Sequence, residues 1–246
     1  MEDLGELNSP LLGNKNEEED DIYLEEQIKK KLREGFTAKV FGIVAYQMVI
    51  LFLVVLLGFI NSTFREWLLS STLLYILAII ITFTSLFIPI FSPVLFRAVP
   101  TNYIILTIFT ISYSWIIATF TVQFSANSVL TALFLTIIMV LCLTIYAFWT
   151  KSDYTVLGGT LFTALTLLII SSILLIFIRI ELLYMIYIYA GLIIFCIYLL
   201  YDVQLLIGKG EHKFGEDDYI LAALNLYLDI IGIFVRILAI FGTKDN

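Results

Sequence analysis

Two carboxylates, Asp202 and Asp229, lie inside the last two apolar runs of this sequence, which span residues 183–207 and 219–241. A charged side chain near the centre of a bilayer costs about 2.5–3.5 kcal/mol on insertion scales. A chain that carries two of them on consecutive runs is expected to use them. Asp202 stands ~9 Å from the near end of its helix and Asp229 ~15 Å from the start of the next, at 1.5 Å per residue. The short connection between the runs makes them a hairpin, and the difference in depth is within what tilt absorbs. Two carboxylates in one low-dielectric site cannot both ionise cheaply. At lower pH they are expected to share a proton and hold their helices together. At higher pH their repulsion parts them unless a cation bridges them, and hard cations such as calcium favour carboxylate oxygens. Such a pair is a gate and a weak calcium site in one. The alternative is that each Asp separately hydrogen-bonds a neighbouring helix.

Other polar residues surround this hairpin. Arg236 follows Asp229 by seven residues, two turns along the same face. It is either a counter-ion within the bundle or a side chain that snorkels to the far interface. Tyr201 and Tyr227 lie close enough in sequence to bond a carboxylate. Glu211, Glu216, Asp217 and Asp218 crowd the connection at 208–218 beside Lys209, His212 and Lys213. They form either a solvated turn or an acidic vestibule, carried by Asp217 and Asp218, that concentrates cations at the mouth. His212 is the one histidine of the chain and lies in that loop, which argues against a histidine-dependent metal site or catalytic triad. Cys142 and Cys196 sit in apolar runs and read as packing residues.

The elements that must position these groups are membrane helices. A hydrophobic fraction of 61% excludes an ordinary soluble domain. Seven runs reach the ~20 residues that a spanning helix needs, at 38–60, 67–90, 102–122, 128–149, 154–178, 183–207 and 219–241. Pro89, Pro93 and Pro100, with Gly208, Gly210 and Gly215, punctuate the connections. The architecture is therefore all-α and polytopic. Residues 1–35 hold eleven of the 21 acidic side chains and read as a disordered acidic tail, with 36–246 as the membrane domain. Ser9-Pro10-Leu11-Leu12 faintly resembles a dileucine sorting signal within a plain tail. No signal peptide is evident, so the first span is expected to serve as its own uncleaved signal. The chain offers no basic stripe for nucleic acid; its partner is the lipid bilayer. Lys29, Lys30, Lys31, Arg33, Lys39, Arg97, Lys151, Lys209 and Lys213 fall on one side of the seven-span scheme, which predicts a cytosolic N-terminus. Whether the seventh run spans or returns stays open. Gly158, Gly159, Ser171 and Ser172 mark the fifth run as closely packed.

The ordered blocks resemble the transmembrane Bax inhibitor motif family, in its Lifeguard and Golgi anti-apoptotic branch. They are Arg33-Glu34-Gly35-Phe36, Lys39-Val40-Phe41-Gly42, Pro100-Thr101-Asn102-Tyr103-Ile104, Tyr146-Ala147-Phe148, Leu157-Gly158-Gly159 and Tyr201-Asp202-Val203-Gln204-Leu205. The most specific runs from Asp218 through Asn225-Leu226-Tyr227-Leu228-Asp229 to Ile231. The resemblance implies a seven-helix bundle with its C-terminal helix central, and a calcium leak from intracellular stores that lowers sensitivity to cell death, to which the carboxylate pair would add pH sensitivity. It implies residence in Golgi or endoplasmic reticulum and contact with cell-death regulatory membrane proteins. No cofactor is implied beyond calcium as the permeant ion. Asp202 and Asp229 match the family's paired aspartates, and Asp217 or Asp218 its acidic position before the last helix. The chain departs from the pattern in two places. Tyr113 stands where relatives often carry Glu, and the second run lacks the basic residue that latches the pair in bacterial relatives. Arg97 and Arg236 remain as candidate counter-ions. Two other function classes compete. An intramembrane aspartyl protease needs Gly-x-Gly-Asp where this chain has Leu226-Tyr227-Leu228-Asp229, and no enzyme is expected. A non-conducting interaction protein is the main alternative.

Overall fold

The computed structural model describes residues 9–210 and 212–244, with side chains from residue 20 onward. In hydrocarbon the backbone must satisfy its own hydrogen bonds, so each long apolar run becomes a helix. The helices are α1 (Ser9–Ile60), α2 (Ser62–Ser70), α3 (Thr72–Phe91), α4 (Pro93–Arg97), α5 (Thr101–Thr121), α6 (Ala126–Trp149), α7 (Gly158–Phe177), α8 (Glu181–Ile207) and α9 (Tyr219–Phe241). Seven of them, all but α2 and α4, are long and apolar enough to cross a membrane.

Two boundaries differ from the sequence reading, each for a local reason. The second span starts at Thr72, not residue 67, because 62–70 forms the separate helix α2. Asn61 caps α2 by accepting from the Phe64 N–H at 3.0 Å, and Ser71 breaks the helical path before α3. The first helix continues back to Ser9, through most of the segment read as a separate tail. That stretch is rich in Glu, Lys, Leu and Gln, good helix formers, and adds to a helix already nucleated by the apolar run. Lys29 and Glu25 add an i,i+4 pair at 3.1 Å. Residues 1–8, and the side chains of Ser9 to Leu12 that would make a sorting signal, lie outside the described residues.

Helix α9 is the centre of the bundle. It packs on α8, α1, α6 and α5. Ile220, Ala222, Ala223, Tyr227, Ile233 and Leu238 are all sealed from the surface along it. Helix α3 packs on α5, and α7 is peripheral, leaning on α8. The outward faces of α3, α6 and α7 present Leu, Ile and Phe to the surroundings, as lipid contact requires.

The ends of the helices sort onto two faces. One face gathers the residues around Arg33, Arg97, Thr150 and Gly208. There Arg33 donates from Nη1 to the Phe214 carbonyl at 2.8 Å and also to the Leu205 carbonyl. Lys209 reaches the carbonyls of Phe148 and Thr150 at the end of α6. Gly208 ends α8 with φ +70°, where a side chain would be strained and a Cβ would press Arg33 Nε at 3.0 Å. The opposite face gathers Arg65, which donates to the Val122 carbonyl at 2.9 Å, and the start of α6. The chain after α9 joins this second face: Ser125 N–H donates to the Thr243 carbonyl at 3.0 Å, and Thr243 N–H to Ser128 Oγ at 3.0 Å. The seventh segment therefore runs through the whole bundle from one face to the other and does not fold back.

Single cysteines test this crossing. An impermeant thiol reagent is expected to label Asn127→Cys and Thr243→Cys from one side of sealed vesicles and Ser152→Cys from the other. Labelling of Thr243→Cys together with Ser152→Cys would place the end of α9 on the wrong face.

Candidate functional site: a carboxyl pair on the seam between two helices

Helices α8 and α9 run antiparallel, joined by residues 208–218, and their contact follows a regular stripe. On α9 the stripe is Asn225, Asp229, Gly232 and Arg236, spaced 4, 3 and 4, which is one face of a helix. On α8 it is Gly191, Phe195, Tyr198 and Asp202, with the same spacing. The partners along the seam follow from that register. Asp202 faces Asn225 and Asp229 across the seam. A Cβ on Gly232 would meet the Phe195 ring at 2.4 Å, and one on Gly191 would meet Arg236 Nε at 2.1 Å. The two glycines are notches that receive the facing side chain.

Asp202 and Asp229 are 3% and 4% exposed, so each depends on the protein for its partners. A hydrogen bond between two carboxyls needs one proton held between them. Among the described residues, Asp229 Oδ2 has no hydrogen-bond partner, so the pair retains an acceptor atom that a proton or a cation would satisfy. No cluster of three or more His, Cys, Asp or Glu side chains that could hold a metal ion forms among the described residues.

The other candidates take separate places. Arg97 pairs with Asp218, its Nη2 2.8 Å and its Nε 2.9 Å from Oδ1. Asp218 stands eleven residues before Asp229, ~16 Å along α9. Arg97 is thus drawn to the acidic connection and not to the carboxyl pair. Asp217 is exposed beside it. Arg236 does not snorkel outward: its side chain turns back along α9 and donates to the Gly232 carbonyl at 3.0 Å, with the guanidinium 4.2 Å from the Phe195 ring centre. It therefore sits a turn beyond the pair with the Phe195 ring beside it. Tyr227 stacks edge-on against Phe109 and Tyr113 of α5, and the Tyr201 hydroxyl lies where a side chain on Gly158 would be. Tyr198, which was not singled out from sequence, is the tyrosine on the seam. Cys196 Sγ lies 3.4 Å from Met139 Sδ, a packing contact, and neither cysteine is paired with another.

Further polar groups bond between the helices or to the connections around them. Asn102 Nδ2 donates to the Tyr219 hydroxyl at 2.9 Å, with Asn102 fully buried. Lys39 Nζ lies 3.2 Å from the centre of the Tyr219 ring. Gln204, also fully buried, accepts from the Tyr154 N–H at 2.7 Å and donates to the Ser152 carbonyl at 2.9 Å. Gln47 donates to Thr110 at 3.1 Å between α1 and α5. Asn102, Gln204 and Gln47 were each visible as an amide in or at the end of an apolar run, the type of residue that must find a partner inside a membrane bundle.

The Asn102–Tyr219 bond gives a stability test. Tyr219→Phe removes the acceptor and leaves a buried amide unpaired, an expected loss of about 1–3 kcal/mol. In a double-mutant cycle with Asn102→Ala, followed by thermal unfolding of the purified protein, the double variant is expected to lose less than the two single losses combined. Losses that add to within about 0.5 kcal/mol would show that the bond is not formed.

Comparison with known proteins agrees with this architecture. The family model described as "Inhibitor of apoptosis-promoting Bax1" matches residues 33–246. The chain is similar to protein lifeguard 3 of Mus musculus, 30% identical over 221 residues, covering 88% of this chain and 71% of the relative. The Homo sapiens protein of that name is 29% identical over the same shares. A BI1-like protein of Arabidopsis thaliana is 32% identical over 223 residues, covering 89% of this chain and 84% of the relative. The matched region contains all of α9, the carboxyl pair and the contacts that hold both, and on these grounds the chain is a multi-pass membrane protein that belongs to the Bax inhibitor family.

Proposed function

We propose that this protein is a pH-sensitive calcium leak of intracellular membranes, gated by Asp202 and Asp229, and that through this leak it tunes calcium stores and the threshold for cell death. The observation that carries the reading is the facing of two buried carboxyls on adjacent helices in a bundle whose outside is hydrocarbon. Such a pair is costly in lipid and has little use as packing. With one proton shared, it holds α8 against α9. When that proton leaves, the two charges repel, and a divalent cation that accepts oxygen ligands relieves the repulsion. Conduction then needs binding that is favourable but weak, and two carboxyls with few other ligands supply that. Asp217 and Asp218 lie at the face where a cation would enter, Asp218 tied to Arg97. The Lys and Arg residues on that face support a cytosolic N-terminus, and residence in Golgi or endoplasmic reticulum is part of the same reading. The chemistry is ion passage and needs no catalysis.

A second reading has support in the family description, which names inhibition of an apoptosis-promoting protein. In it the protein acts by contact with cell-death membrane proteins and conducts nothing.

Calcium efflux from proteoliposomes at pH 6 and pH 8 separates the two. The leak is expected to be faster at pH 8, since deprotonation parts the pair. Asp229→Asn and Asp202→Asn should each change the rate and flatten the pH response, because one carboxyl then has no like-charged neighbour. His212→Gln controls for the loop imidazole. Native flux and native pH response in both Asn variants would refute gating by the pair. Flux no greater than that of empty vesicles would favour the contact reading.

A further inference from the structure

Arg236 is a cation held inside the bundle on the same seam as the carboxyl pair, yet it does not touch the pair. Four observations locate it. Its guanidinium turns back toward the pair and donates to the Gly232 carbonyl at 3.0 Å. It lies over the Phe195 ring, 4.2 Å from the centre, and 6.0 Å from that of Tyr187. The helix opposite is notched at Gly191, where a Cβ would fall 2.1 Å from Arg236 Nε. Its own Nε finds no hydrogen-bond partner among the described residues. A long basic side chain close to the end of a membrane helix ordinarily extends to the interface, where water solvates the charge. This one is folded inward instead, into a space that a glycine leaves open.

Its position decides what that placement does. An ion moving along this seam from Asp202 and Asp229 toward the face of Ser128 and Thr243 would pass Phe195 and Gly232, then Gly191 and Arg236. The first of these is a ring seated against backbone, and the second is a fixed positive charge in a medium that screens it weakly. A ring of apolar groups closes a path by exclusion, and a fixed cation closes it to other cations by repulsion. Resting on the leak reading above, we propose that Arg236, seated in the Gly191 notch, is the electrostatic barrier that sets how fast cations leave the carboxyl pair toward the second face. The carboxyl pair draws the cation in, and Arg236 limits its exit. In this arrangement the protein leaks slowly without needing a moving gate at the second face.

The test is calcium efflux from proteoliposomes with native protein, Arg236→Gln, Arg236→Lys, Asp229→Asn, and Arg236→Gln combined with Asp229→Asn. Removing the charge is expected to raise the rate on the order of tenfold, since a nearby repulsive charge is gone. Arg236→Lys, which keeps a charge, is expected to raise it less than Arg236→Gln does. The rise must run through the pair, so Asp229→Asn in the combined variant should abolish it. A rise that survives Asp229→Asn would mean a non-specific hole and overturn the proposal. An unchanged or lower rate in Arg236→Gln, with a native pH response through the pair, would overturn the barrier alone and leave the leak reading standing. No flux in any variant, native protein included, would overturn both. Monodisperse elution and native-like thermal unfolding of Arg236→Gln confirm that each outcome reports on a folded protein.

Discussion

A polar group carried into the hydrocarbon has no partners but those inside the bundle, and this constraint organises the whole structure. Water is absent there, so an unpaired amide or carboxyl costs far more than at a soluble protein's surface. Helix α9 carries such groups along its length: Tyr219, Asn225, Tyr227, Asp229 and Arg236. It lies at the centre with α1, α5, α6 and α8 around it. The peripheral helices α3, α6 and α7 carry few polar groups beyond Ser and Thr, which can bond their own backbone, as Thr136 does to the Ala132 carbonyl. They are free to form the lipid-facing wall.

The same constraint explains how the seam between α8 and α9 is built. One face of each helix alternates large polar or aromatic groups with glycine, and the antiparallel register sets each large group against a notch or a partner. Asp202 meets Asn225 and Asp229, Phe195 meets Gly232, and Arg236 meets Gly191. Charges of opposite sign are thus kept on one seam without being neutralised in direct contact. A direct ion pair would have satisfied both groups and left nothing for a proton or a cation to bind. The separation preserves Asp229 as an acceptor while the nearby positive charge offsets part of its field.

The connection between the two helices is held with equal care, from outside the seam. Arg33 of α1 binds the carbonyls of Leu205 and Phe214, Lys209 binds the end of α6, Gln204 ties α8 to the turn at Ser152 and Tyr154, and Arg97 binds Asp218. Four elements distant in sequence therefore grip one loop. Any change in spacing of α8 against α9 must be felt by α1, α4 and α6.

The sequence by itself determined the helical class and the number of spans, and it singled out Asp202 and Asp229 as buried carboxyls. Each of those rests on a local property: twenty apolar residues in a row have no other stable form in lipid, and an Asp within such a run stands out on its own. The ordered blocks around Asn102, Asp202 and Asp229 likewise pointed to the family that the comparison then showed. What the sequence left open depended on which surfaces meet. Spacing put Arg236 on the face of Asp229, but only the Gly191 notch on another helix decided that it folds inward. Arg97 was a candidate for the pair until the turn after α3 carried it to Asp218. The separate helix α2 starts at a side-chain cap, Asn61, that hydropathy does not register. Whether the seventh run crosses was undecidable from its composition, because a re-entrant loop and a span are equally apolar. It was settled by backbone contacts between Thr243 and the start of α6, residues more than a hundred positions apart.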